Sequence, residues 1–163
     1  MKPLDRTDAR LLNLLQRDNR ASSEVLAQAV NLSPTAVQRR VKRLRADGVI
    51  EADVAVVDPA RVGRGLTMLV LVTMDRENGQ IVDAIKRAIR AAPEVLNGWF
   101  VTGDADFVLN VAVKDMADYE RFQREFLYAN AQVRDLRTLV VIDRVKTGGA
   151  LALDESDFAQ AQP

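Results

Sequence analysis

Apolar residues recur at helical spacing in three successive blocks over the first fifty positions. The first block holds Leu4, Leu11, Leu12, Leu14 and Leu15, with Asp5 at its N-cap position. Asn19 and Arg20 interrupt the pattern, and Ser22 or Ser23 can cap a second helix, SEVLAQAV. Glu24 in its first turn suits the positive end of the helix dipole. Asn31 follows, a residue that tolerates left-handed geometry. Ser33-Pro34 then opens a third helix: serine is a preferred cap, and proline fits the first turn because its missing N–H would be unpaired there anyway. That helix runs through TAVQRRVKRLRAD to Gly48, a good residue for a helix end. Leu26, Ala27, Val30, Leu32, Val37, Val41 and Leu44 form one apolar set around the tight turn. Two helices joined this way, the second strongly basic, make a helix-turn-helix, whose second helix enters the major groove of DNA.

Beyond Gly48 the pattern changes. VIEADVAVVDPARVGRG reads as short strands and then a hinge around Pro59, Gly63 and Gly65. LTMLVLVTM (66–74) is a buried-strand run, and IVDAIKRAIRAA (81–92) places Val82, Ile85 and Ile89 on one helical face. Strands are expected at 95–101, at 107–113 and over 133–146. Tyr119, Phe122 and Phe126 align on a helix at 116–127 and pack onto the sheet. The order is βαββαβ, a ferredoxin-like split unit. The fold class is therefore α+β, with four segments: a three-helix, winged helix-turn-helix domain at 1–52, a linker strand and hinge at 53–65, a ferredoxin-like domain at 66–147, and a tail at 148–163 that is expected to fray.

Composition narrows the chemistry. Of 163 residues, 48% are hydrophobic and 28% charged, as in soluble globular proteins. No apolar stretch is long enough to span a bilayer, and the charged MKPLDRTDAR opening carries no signal-peptide core, so a cytoplasmic protein without a membrane partner is expected. With no Cys and no His, thiolate chemistry, Cys/His zinc sites and the commonest general base are all missing. Neither an enzyme nor a cofactor is expected. Net charge is zero overall, yet residues 1–50 carry ten basic and five acidic groups while the remainder is acidic by the same margin. Only the N-terminal part is suited to meet a polyanion.

On the third helix, at roughly 100° per residue, Val37, Val41 and Leu44 face the core. Thr35, Arg39, Lys42 and Arg43 then occupy the other side, with Gln38 on the flank. Arg39 can bond bidentately to guanine, Gln38 to adenine, and Thr35 can meet a thymine methyl. Lys42 and Arg43, further along, suit phosphates, and Ser33 and Pro34, which start the helix, complete the expected DNA-binding set. A basic run can also be a plain solvated face; here it lies on the second helix of a helix-turn-helix, opposite the core, which favours double-stranded DNA as partner.

The stretch from Leu4 to Ile50, LDRTDARLLNLLQRDNRASSEVLAQAVNLSPTAVQRRVKRLRADGVI, closely resembles the N-terminal domain of the Lrp/AsnC family, the leucine-responsive or feast/famine regulators. VTGDADFVLNVAV and RTLVVIDRVK resemble the C-terminal, amino-acid-sensing domain of that family. The resemblance implies a transcriptional regulator that forms a homodimer through its C-terminal sheets, assembles further into tetramers or octamers, and binds a small effector, usually an amino acid, between dimers. It implies an effector site at the loop Thr102-Gly103-Asp104-Ala105-Asp106, where glycine admits backbone N–H groups to a carboxylate and an Asp can take an α-ammonium. The same four residues GDAD also suit a plain hairpin turn. The family's Thr-x-Thr pattern near the last strand reads Leu136-Arg137-Thr138 here, so Thr138 matches and Leu136 does not. This points to an apolar or sulfur-containing amino acid. Tyr128-Ala129-Asn130-Ala131-Gln132 reads as a loop in place of the usual Pro-Gly turn. Trp99, on the second sheet strand, is read as a core or interface residue ahead of an effector contact. Two alternatives belong to other classes. Siroheme decarboxylases resemble the family but are expected to need histidine, and a nucleoid-organising protein would bind DNA with little sequence preference.

Overall fold

The computed structural model describes residues 3–75 and 79–159. The chain divides into two compact units, Met1–Val56 with Lys146–Pro163, and Val57–Val145. No helix among the described residues is long and apolar enough to cross a membrane.

The first unit is built on three helices, α1 (Arg6–Leu15), α2 (Ser23–Val30) and α3 (Pro34–Ala46). Each begins where the sequence supplies a cap. Asp5 accepts from the Asp8 N–H while the Asp8 side chain accepts from the Asp5 N–H, a reciprocal capping box. Ser22 caps α2 through the Val25 N–H, and Ser33 caps α3 through the Ala36 N–H with Pro34 in the first turn. Asn31 ends α2 at φ 53°, ψ 46°, so the residue that stands where such units often have glycine does adopt the left-handed turn. Gly48 follows α3 at φ 71°. Leu11, Leu15, Leu26, Ala27, Val30, Val37 and Val41 close the core between the helices.

Two expectations for this unit fail. No strand forms over 51–58 or in the rest of the stretch to Gly65, which holds only a short 3-10 turn at Ala60–Val62; Val54 and Val56 stand 73% and 81% exposed, with no neighbouring strand to take their backbone groups. The tail, in turn, does not fray over its described part. Residues 151–159 lie along α1 and bond to it.

The second unit has the expected βαββαβ order: β1 (Leu66–Met74), α4 (Gly79–Ala91), β2 (Val95–Phe100), β3 (Phe107–Val113), α5 (Met116–Ala129) and β4 (Val133–Val140). The strands form one antiparallel sheet in the order β2-β3-β1-β4. Met68, Val70, Val72, Leu109 and Val111 face α4 and α5 and meet Ile85, Tyr119, Phe122 and Phe126 in a single core. β4 stops at Val140, short of the expected 146, where its pairing with β1 runs out. Helix α5 continues to Ala129, so most of the segment read as a loop is its last turn or the bend after it; the Asn130 amide donates to the Phe126 carbonyl and helps terminate it.

Gly98 on β2 has a packing reason. A Cβ there would lie 2.8 Å from Ile89 Cγ2 and 3.2 Å from Leu109 Cδ2, so α4 approaches the sheet over a residue without a side chain. Gly98→Ala is expected to cost about 1–3 kcal/mol through overpacking. A urea-unfolding midpoint equal to that of the parent chain would show that α4 can shift freely.

Candidate nucleic-acid interface and effector loop

Helix α3 is seated by Val37, Val41 and Leu44, all buried. Thr35, Gln38, Arg39 and Lys42 are exposed, as the helical wheel requires. The Gln38 amide donates to the Ser23 hydroxyl at 3.1 Å, so it rests against the start of α2 while remaining at the surface. The Ser33 hydroxyl is used as the helix cap.

Arg43 corrects the expected face. Its guanidinium turns inward to the carboxylate of Asp8, whose side chain is 0% exposed. Asp8 also accepts from Arg40 at 2.8 Å and from the Asp5 N–H at 3.2 Å, and Arg40 reaches Asp5 at 2.7 Å. On the wheel, Arg43 lies roughly 60° from the middle of the outer face, on the α1 side, near enough for its long stem to bring the head back to α1. A buried carboxylate draws it there, because an unpaired buried charge is far costlier than a paired one. Burial works against the charge on Asp5, yet Arg40 and the Asp8 N–H outweigh it and hold the Asp5 carboxyl below its ordinary range.

Arg45 pairs with Asp53 through two N–H groups, at 2.7 and 3.3 Å. Arg40 and Arg43 are therefore committed to buried carboxylates, whereas Arg45 is paired at the surface. Arg39 and Lys42 are the α3 cations without an ion-pair partner among the described residues. The sequence offers no direct signal for this division. Asp5 and Asp8 read as cap residues, and nothing in their spacing says that two arginines more than thirty residues later will close on them.

In the second unit the expected effector residues divide between two places. Thr102, Gly103 and Asp104 are exposed at the tip of the β2–β3 loop, with Gly103 at φ 129°, a conformation that favours glycine. Asp106 is held by the backbone. Its N–H donates to the Val72 carbonyl at 2.9 Å, and its carboxylate accepts from the Met74 N–H at 2.6 Å, beside the irregularity in β1 pairing at Thr73/Met74. Leu136 and Thr138 point to the helix side of β4: Leu136 packs on the core, and the Thr138 hydroxyl shares a hydrogen bond with the Tyr119 hydroxyl. Burial pushes Tyr119 up from its ordinary pKa. Because Leu136 pairs with Val72, the loop and β4 flank the same end of β1 from opposite sides.

Trp99 is not a core residue. It is 50% exposed on the sheet face away from the helices, in a row with Val108, Leu71 and Arg137; Leu69 and Leu139 lie in the next row with Asn97 and Asn110.

Comparison with known proteins agrees with both units. A family model described as winged helix-turn-helix DNA-binding matches residues 4–51, and one described as the Lrp/AsnC ligand binding domain matches residues 67–151. An uncharacterized HTH-type transcriptional regulator of Sinorhizobium fredii is 54% identical over 93% of this chain and 89% of its own. The leucine-responsive regulatory protein of Escherichia coli is 34% identical over 93% of each chain. A crystal structure of a transcriptional regulator of Neisseria meningitidis in complex with L-Met superposes with a TM-score of 0.84 at 29% identity, covering 94% of this chain and 99% of that one.

Arg43→Ala is expected to destabilise the protein by about 2 kcal/mol, the scale of a hydrogen bond to a charged group, through loss of an Asp8 partner. Lys42→Ala is expected to leave the unfolding midpoint unchanged and to flatten the salt dependence of DNA binding by about one unit of slope. Equal unfolding midpoints for Arg43→Ala and the parent would contradict the inward role of Arg43.

Proposed function

The chain belongs to the Lrp/AsnC family of DNA-binding transcriptional regulators, and from that premise we propose that it reads its operator with Thr35, Gln38 and Arg39. The observation that carries this assignment is the division of charge on α3: with Arg40 and Arg43 held by the buried Asp5 and Asp8, and Arg45 in the last turn paired with Asp53, Arg39 is the arginine of that helix without an ion-pair partner among the described residues and is placed to meet a base edge. Lys42, one turn further on, meets phosphate, and the N-terminus of α3 at Ser33-Pro34 approaches the backbone.

The copies pair through the open face of the sheet, where Leu69, Leu71, Val108, Trp99 and Leu139 present a largely apolar surface. Pairing presents two reading helices to half-sites related by the same symmetry. Tetramers or octamers built from such dimers place the exposed loop Thr102-Gly103-Asp104 at a boundary where an effector can bind. Asp104 is the carboxylate of this loop best placed for an α-ammonium group, since Asp106 is occupied by the Met74 N–H. Leu136 leaves an apolar side chain where the family pattern has a hydroxyl. An apolar or sulfur-containing amino acid fits this chemistry, and the L-Met bound to the Neisseria meningitidis regulator agrees with it. The effector acts by linkage: it binds one assembly or one dimer geometry better and so shifts the match between reading helices and half-sites. The chain's work on this reading is regulation, without a catalytic step.

Gel-shift titrations with an operator duplex and a random duplex test the assignment. Arg39→Ala is expected to narrow the difference between the two by about 1–3 kcal/mol, the worth of a bidentate base contact. An unchanged difference would remove Arg39 from base reading. Equal affinity of the parent chain for both duplexes would favour the nucleoid-organising alternative. Calorimetric titration with the twenty amino acids is expected to show binding of methionine or an apolar one; binding of asparagine, lysine or arginine alone would reject that effector class.

A further inference from the structure

One stripe of α1 consists of nitrogen donors, and every one of them is turned to an oxygen of the chain's own C-terminal tail. Arg6 Nε donates to the Phe158 carbonyl at 3.1 Å, and the Arg6 backbone N–H donates to the Ala159 carbonyl at 3.0 Å. Arg10 faces the Glu155 carboxylate at 3.9 Å. The Asn13 amide donates to the Leu153 carbonyl at 2.8 Å, and the Gln16 amide to the Leu151 carbonyl at 3.1 Å; the Leu151 N–H returns a bond to Gln16 Oε1 at 2.7 Å. Positions 6, 10, 13 and 16 fall on one side of a helix, and the row is about 15 Å long. The tail follows it in the opposite direction.

The seat is polar at its edge and loosely filled beneath. Leu151 is 74% exposed, and a cavity of about 580 Å³ lies between the tail, α1 and the segment after α3, lined in part by Leu12, Leu15, Ile50 and Leu153. Apart from the part-buried Asn13–Leu153 bond, the tail is held by exposed hydrogen bonds and one half-exposed ion pair, contacts that each contribute little against solvent and hold by their number. It is also acidic: residues 146–159 carry Asp154, Glu155 and Asp157 against Lys146 alone. Its far end reaches the reading helix's anchor, because Ala159 bridges to Asp5, and Asp5 holds Arg40 of α3.

We propose that the outer stripe of α1 is a second phosphate-binding surface, and that the acidic tail is an internal stand-in for nucleic-acid backbone that masks it. The donor set is the one proteins use on phosphate oxygens: two guanidinium groups and two side-chain amides in a row. Carbonyl and carboxylate oxygens of the tail occupy those donors, and Glu155 and Asp157 set a negative field over Arg6 and Arg10. A duplex that displaces the tail gains two cations beyond those of α3. The tail therefore holds down sequence-independent binding, which depends on the number of phosphates neutralised. The inference rests on the DNA-binding role of the chain and not on which α3 residues read bases.

The test is the salt dependence of binding to a random duplex, measured on full-length chains. The combined variant Asn13→Ala, Gln16→Ala, Glu155→Gln loosens the tail at three points, and its log–log salt slope is expected to be steeper than the parent's by about two, near one unit per added phosphate contact. Adding Arg6→Ala and Arg10→Ala to it is expected to restore the parent slope, whereas the two arginine substitutions alone are expected to leave the parent slope unchanged. Glu155→Gln with Asp157→Asn keeps the tail's backbone bonds and is expected to steepen the slope by less. A loosened variant with parental circular dichroism and parental slope would overturn the proposal, as would arginine substitutions that flatten the slope of the parent itself. A parent chain that binds neither operator nor random duplex would instead overturn the DNA-binding reading.

Discussion

The DNA-reading unit depends on one buried carboxylate. Asp8 is withdrawn completely from solvent, a position that an ionised group occupies only when its lone pairs are filled. Three donors fill them: the Asp5 N–H, Arg40 and Arg43. The first belongs to the cap of α1 and the other two to the middle of α3, so a single residue couples the start of the first helix to the orientation of the third. The apolar core of Leu11, Val37 and Val41 brings α1 and α3 together. Apolar packing alone tolerates small rotations of a helix about its axis; directed bonds to a carboxylate do not. With Arg40 and Arg43 turned inward, the rotation of α3 is set, and Arg39 and Lys42 are left pointing out.

The same constraint explains which features were legible in the sequence. Caps and turns are local, and Asp5, Ser22, Ser33-Pro34, Asn31 and Gly48 all do what their residue types favour. The βαββαβ order follows from apolar periodicity, also local. A helical wheel misplaces Arg43 because it describes directions from the axis and not the reach of a long side chain toward a charge on another helix. The small, polar composition of the tail predicts fraying. Its partners are side chains on α1 more than 130 residues away, in bonds that no spacing rule encodes. The stretch after Gly48 has the β-branched residues of a strand, but a strand also needs a neighbour, and none lies beside it among the described residues.

The second unit shows a similar competition between local chemistry and function. Asp106 has the residue type for an α-ammonium group, yet the end of β1 leaves the Met74 N–H without a regular ladder partner, and the nearest carboxylate takes it. Thr138 has the hydroxyl of a polar pocket, yet Tyr119 is buried above it and needs a partner for its own hydroxyl. In both cases the demand of a buried polar group is met first. Thr102, Gly103 and Asp104 at the tip of the loop are left exposed and without such a demand, and Leu136 stays half-buried on the neighbouring strand.

Charge in the N-terminal unit obeys the same order of demand. Counting basic residues on α3 suggests five contacts to a polyanion, but three of those cations already have anions of their own, and α1 adds two more that face the tail. These internal partners differ in how firmly they hold. Asp8 is buried, so displacing it would leave a charge stranded away from water, and its arginines are fixed. Glu155 is half exposed, so its arginine is held through the combined bonds of the tail and not by burial of the anion. Under the proposed masking, DNA reaches the second kind only once the tail is loosened, and it cannot compete for the first. Burial of the anion, more than the number of arginines, decides which cations of this unit are available to nucleic acid.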